Sequence, residues 1–360
     1  MIVLLAAKSF VIAGATLLIL RLMSDRSASD RSWIAHLGLA AIAALPLVSA
    51  LFPPLEVASS YASALAPAVS VSSTQLASSV WPQTATDWLL LAYLLPALLL
   101  IAHLMLALLR LALLTERARP VTDDRWLAIL SSAQHRIGLS KSTALLASEG
   151  IASPVSWGAL RPKILLNADA VASQECAEAV VAHELAHIAR ADWLKLILVR
   201  LSVALFWFNP LAWMLAREAH QLREEAADDA VLAANIEDTA YASLLVNTAR
   251  NHGIGIVFGT HGVAPTRNAL AQRVKKVLDR DLNRSPGRAS WATAVALFAV
   301  ALSTPLMTLQ LTDTTPSHPN SVLFAKGENA EIIVFELRAP HANPGFTPAS
   351  SQEDRAGEEE

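Results

Sequence analysis

Four long apolar stretches govern what this chain can become: residues 1–22, 33–53, 87–113 and 291–311. Each is long enough to cross a bilayer as a helix, which takes about 20 residues, and the second and fourth carry no charged residue. With 54% hydrophobic and only 16% charged residues, the chain reads as a membrane protein rather than a soluble one. Lys8 lies close enough to the outer end of the first stretch to snorkel. The stretch also lacks the basic start of a cleaved signal peptide, so it is expected to be a retained span.

Orientation follows from the connections. Arg21, Arg26 and Arg31 cluster around the first, whereas the 33 residues from Pro54 to Thr86 contain neither Lys nor Arg. Basic residues favour the cytoplasmic side, which puts the first connection inside and the 54–86 loop outside. Arg110, Arg117 and Arg119 end the third stretch, and Lys275, Lys276, Arg280, Arg284 and Arg288 precede the fourth. Residues 1–113 are therefore expected to hold three spans, 114–290 a cytoplasmic domain, 291–311 a fourth span and 312–360 an extracytoplasmic tail. That tail contains one strand-like run, "EIIVFELRA", and an acidic end. Pro96 and His103 fall inside the third span; an intramembrane histidine is either functional or bonded to a neighbouring helix.

Several classes drop out. A net charge of −3, with no cluster of Lys/Arg among aromatics, argues against direct contact with nucleic acid. The single cysteine, Cys176, excludes an internal disulfide and a cysteine-type zinc cluster, so any metal must be held by His and carboxylate.

The cytoplasmic part reads as α+β. Residues 124–138 have a helical pattern, and "TALLASEG" and "SPVSWGALRPKILLN" look like two strands separated by a glycine turn. Pro154 and Pro162 cannot donate to a ladder, so the second strand is expected at an edge, either open to an extended peptide or covered by loop or membrane. A helix then opens with Ser173 as N-cap, and another runs from Pro210 to about Ala234.

The first of these helices contains "VVAHELAHIARAD". His183 and His187 project from one face a turn apart and can take two of the tetrahedral positions zinc prefers. Glu184 is placed to act as general base toward the attacking water. The motif alone arises by accident in on the order of 1% of chains this long, and two histidines bonded inside a packed helix are the plain alternative. A third ligand is needed. Glu224 shares a helical stripe with Trp213, Ala216, His220, Ala227 and Val231, while Glu225 falls with Glu218, Gln221 and Asp229. Glu224 is accordingly the inward carboxylate and Glu225 the solvated one. Asp192 and Asp228 are candidates to orient the imidazoles, and His220 to stabilise an oxyanion or merely pack. Residues 201–216 are apolar and lie between the two halves of this site. A crossing there would put Glu224 and His183 on opposite sides of the membrane. The stretch is short and broken by Asn209-Pro210, so it is expected to be a hairpin, buried in protein or dipping into the inner leaflet.

With "SPVSWGALRPKILLN", "HELAHIARADWL", "FNPLAWMLARE" and "REEAADDAVL" in this order, with three spans before them and one after, the chain resembles the BlaR/MecR family of integral-membrane zinc metallopeptidases over about residues 80–310. The resemblance implies a gluzincin arrangement: zinc on His183, His187 and Glu224, base Glu184 and supporting Asp228. It also implies a multi-pass protein of the bacterial plasma membrane that signals by cleaving itself or a transcriptional repressor. Two departures stand out. Ala227 occupies a place where better-known members have cysteine, and the tail offers no Ser-x-x-Lys pair and is too short for a penicillin-binding sensor. The competing expectations are a housekeeping protease of membrane proteins and a non-enzymatic receptor or scaffold with a structural metal site. Substrate, stimulus and oligomeric state are not legible.

Overall fold

The computed structural model describes residues 2–51, 55–58, 84–172, 176–252, 267–285, 309–312, 322–326 and 332–336. The expected fourth span and the Ser173 N-cap lie outside these residues. In chain order the elements are α1 (Ile2–Leu22), α2 (Ala28–Leu51), β1 (Leu55–Ala58), α3 (Ala85–Arg117), β2 (Arg119–Pro120), α4 (Asp124–Ile137), β3 (Ala144–Ala147), β4 (Val155–Trp157), β5 (Lys163–Leu166) and α5 (Ala168–Ala172). They continue with α6 (Ala177–Ala189), α7 (Asp192–Leu205), α8 (Pro210–Ala233), α9 (Asp238–His252), α10 (Arg267–Leu278), β6 (Leu309–Thr312), β7 (Val322–Lys326) and β8 (Ile332–Glu336). The described fold is thus mostly helical, with three helices apolar and long enough to cross a membrane: Leu4–Leu22, Ala28–Leu51 and Asp87–Arg117.

These spans differ in how they are covered. Gly38 lets α1 and α2 approach closely, since a Cβ there would lie 2.4 Å from Thr16 Oγ1. By contrast α3, opened by a reciprocal Thr84–Asp87 capping box, keeps most of its leucines on the outside. Only 11% of its apolar window is buried, as befits a helix facing lipid.

Asn209 and Pro210 stop α7 and start α8, as the sequence suggested. The Asn209 Oδ1 accepts from Leu211 N at 2.9 Å and Ala212 N at 3.3 Å, and Pro210 occupies the first turn, where its missing N–H costs nothing. The hairpin so formed runs alongside the spans. Asn209 Nδ2 donates to Ser9 Oγ at 3.0 Å, Ser202 Oγ to the Leu39 carbonyl at 2.9 Å, and Tyr93 Oη to the Leu205 carbonyl at 2.8 Å. Ser9, Leu39 and Tyr93 all lie within the apolar helices, so residues 201–216 pack against the same bundle. Ile12, Leu39, Ile42, Val203, Phe206 and Leu215 form the core of this bundle.

The domain beyond the bundle is a four-stranded sheet in the order β2-β3-β5-β4 packed on α4 and α6. Here the sequence reading needs correction. "SPVSWGALRPKILLN" is not one edge strand in a hairpin: Gly158, at φ 94°, turns the chain, and a Cβ there would meet the Arg161 carbonyl at 2.9 Å. The stretch therefore divides into β4 and β5. Strand β5 is interior, parallel to β3 and antiparallel to β4, and only β4 lies at an edge. Pro154 and Pro162 each sit immediately before a strand, where no ladder donor is lost. Trp126, Leu130, Ile164, Leu166, Val181 and Leu185 fill the space between sheet and helices. Elsewhere β1 pairs with β6. The strand-like run in the tail is β8, which forms an antiparallel pair with β7.

Candidate metal centre

Helices α6 and α8 bring three side chains together. The Nε2 atoms of His183 and His187 are 3.2 Å apart, and the Glu224 carboxylate lies 3.7 Å from the first and 3.9 Å from the second. Both helices are rich in buried alanine near these side chains, with Ala182 and Ala186 on α6 and Ala226 and Ala227 on α8.

The dimensions suit a small cation. Four ligands at about 2.0–2.1 Å from a tetrahedral zinc lie about 3.3–3.5 Å from one another, close to the separations seen. The imidazole protons point away from the centre. His187 Nδ1–H donates to Asp192 Oδ2 at 2.8 Å, and His183 Nδ1–H to Tyr241 Oη at 2.9 Å, leaving both Nε2 lone pairs aimed inward. Electrostatics agrees with this. Burial by itself would raise the Glu224 carboxyl, but His183, Arg223, His187 and Arg273 outweigh it and hold the group well below the usual carboxylate range. Burial opposes charge on His183 too, yet Glu224 and Asp228 overcome it and raise its pKa. A site that draws in a proton in this way also attracts a divalent ion.

Each imidazole has its own support. Behind His187, Asp192 is bound by Lys195 at 3.0 Å and lies 3.7 Å from Arg190. Ala191, in the left-handed region at φ 53°, reverses the chain between α6 and α7 so that Asp192 folds back onto the ring. This support reaches the bundle. Arg190 contacts Ser32 Oγ at 3.4 Å, and the Lys195 ammonium sits 4.8 Å from the Trp33 ring centre. Behind His183, Tyr241 donates to Asp228 Oδ1 at 2.6 Å, and Asp228 is gripped by Arg273 through two bonds of 2.8 and 2.7 Å.

Most expected site residues converge. His183, His187 and Glu224 form the cluster, and Asp192 touches its imidazole directly. Asp228 acts mainly through Tyr241, its own oxygen being 3.5 Å from His183 Nδ1. Glu184 follows His183 on α6 and is 7% exposed, with no hydrogen bond tying its carboxyl to the described residues. His220 is not in the cluster; its Nδ1 accepts from Arg223 at 2.9 Å, and burial lowers its pKa to about 3, so the ring is neutral. Arg223 in turn binds Glu224 at 2.8 Å. The expected solvation of Glu225 is wrong. It is 4% exposed, because α10 lies across α8 and pairs Lys276 with it. Tyr241, Arg273 and Arg223 were missed. Arg190 and Lys195, which flank Asp192 in "ARADWLK", had a readable signal in their spacing.

Two histidines and a glutamate on neighbouring helices, beside helices long and apolar enough to cross a membrane, form a cluster with the donor set and spacing of a metal site. The BlaR1 peptidase M56 model matches residues 2–277, and the chain belongs to that family. One curated relative, the regulatory protein BlaR1 of Bacillus licheniformis, is 34% identical over 113 residues, a match covering 31% of this chain and 19% of that protein. Its family is one of metallopeptidases, and its three long apolar helices fit a membrane protein.

Proposed function

We propose that the chain is a zinc endopeptidase that signals by cutting itself or a cytoplasmic transcriptional repressor. The convergence of His183, His187 and Glu224, with Glu184 beside the first ligand, carries this reading. When bound, zinc supplies Lewis-acid polarisation of the scissile carbonyl and lowers the pKa of the attacking water. Glu184 takes the proton of that water and returns it to the leaving amine. Its burial next to the ligands suits this role. A purely structural metal site needs no such base, which speaks against a scaffold.

Substrate approach is suggested by β4, an edge strand packed beside α6. An extended peptide added there would run past the metal ligands. The hairpin of α7 and α8 keeps His183 and Glu224 on one side, and the basic connections support that side being cytoplasmic. Pairing of β1 with β6 supports a fourth crossing.

Glu184→Gln should keep stoichiometric zinc and lose cleavage, and His187→Ala should lose both, measured by metal analysis and by comparing protein N-termini in cells carrying each form. Cleavage by Glu184→Gln would remove the base assignment; zinc retained by His187→Ala would remove that ligand. Many unrelated cleavage products, rather than one repressor or the chain itself, would favour housekeeping.

A further inference from the structure

A cleft opens between α3, α7 and the start of α8, lined by Leu100, His103 and Ala107, by Leu196 and Arg200, and by Trp213. It takes no part in the metal centre. Arg200 stands two residues before Ser202, whose hydroxyl is bonded at the middle of α2, so this cation arises from within the apolar layer. No described residue gives it a hydrogen bond or an ion pair. Its charged neighbour is Arg223, of the same sign.

A guanidinium in low dielectric without an anion is costly, and one retained there marks a binding site by default. We propose that Arg200 holds the phosphate of an anionic phospholipid from the leaflet on the metal-centre side. The planar fork of arginine matches two phosphate oxygens, and basic recesses between spanning helices bind such headgroups. The surroundings favour lipid over a soluble anion. The wall of the cleft is α3, whose other flank exposes Leu98, Leu99 and Leu106. Trp193 and Trp213 border the recess as aromatics do at the membrane interface. No acidic residue lines the described cleft, so a headgroup with its own ammonium gains nothing there.

The test uses the purified full chain in mild detergent with equimolar phosphatidylglycerol and phosphatidylcholine, counting retained lipid by native mass spectrometry. Phosphatidylglycerol should be retained about tenfold over phosphatidylcholine. Arg200→Gln should bring the two to parity, and Arg200→Lys should keep part of the preference. Ala107→Trp fills the cleft from the α3 wall while leaving the Arg200 side chain in the sequence, and should also abolish retention, which decides the matter if Arg200→Gln does not fold. Equal preference in the wild type and Arg200→Gln would overturn the assignment. So would displacement of the lipid by millimolar inorganic phosphate, which would indicate a free-anion site, or by an apolar peptide ending in a carboxylate, which would indicate a substrate site. Zinc content plays no part in these readouts, so failure here leaves the peptidase reading untouched.

Discussion

The two imidazoles of the metal centre stand a single helical turn apart, yet they are supported by opposite halves of the molecule. His187 rests on Asp192, and through Lys195 and Arg190 on Ser32 and Trp33 of a spanning helix. His183 rests on Tyr241 and Asp228, held by Arg273 from the domain outside the bundle. The first support is short, with a carboxylate bonded straight to the ring. The second is long, with a phenol interposed and a chain of α8 acids clasped by cations: Asp228 by Arg273, Glu225 by Lys276 and Asp229 by Arg284. The contrast suggests that the bundle side tunes the metal while the outer side holds the fold.

The largest effect should come from the clasp. Arg273→Leu leaves Asp228 buried without its counter-ion, and losing one member of such a pair costs about 3–5 kcal/mol. Thermal unfolding in detergent should show a loss of that size; a change below about 1 kcal/mol would mean that the outer support does not hold the fold.

Asp229 comes next. Burial and the neighbouring Asp228 raise its pKa to about 6 against the pull of Arg284. Because the folded state binds its proton more tightly than the unfolded chain does, this group's contribution is fully favourable below about pH 4. It is lost as pH rises through about 6, a change on the order of 2–3 kcal/mol. Asp229→Asn should remove that slope, read as the difference between variant and wild-type stability at pH 4.5 and 7.

On the bundle side, Asp192→Asn should weaken zinc binding about 10- to 100-fold in a chelator competition, with little change in unfolding temperature. Tyr241→Phe should do least, about threefold or less, because Asp228 is near enough to move onto the ring itself. Equal effects of these two substitutions would erase the distinction between direct and relayed support.

Much of the centre could be read in the sequence, because it rests on helical periodicity. The 183/187 spacing, the stripe that turns Glu224 inward, the acid at 192 and the break at Asn209-Pro210 are all local patterns. What escaped depends on partners brought from afar. Glu225 falls on a polar stripe of its own helix, and only the arrival of α10 buries it. Tyr241 and Arg273 are separated from His183 by at least 58 residues, and no periodicity reports which face of α9 or α10 meets the site. The sheet order was hidden for a related reason: a glycine turn inside an apolar run reads as one strand until β3 is seen parallel to β5.

The bond from Asn209 to Ser9 joins residues 200 positions apart. Ser9 Oγ already donates to the Ala6 carbonyl within α1, so what the distant amide adds is a tie between α1 and the start of the helix that carries Glu224. Closing the bundle and bringing Glu224 beside the imidazoles thus depend on one and the same helix, α8. A chain that ended before α8 would hold neither a finished bundle nor the three-residue cluster.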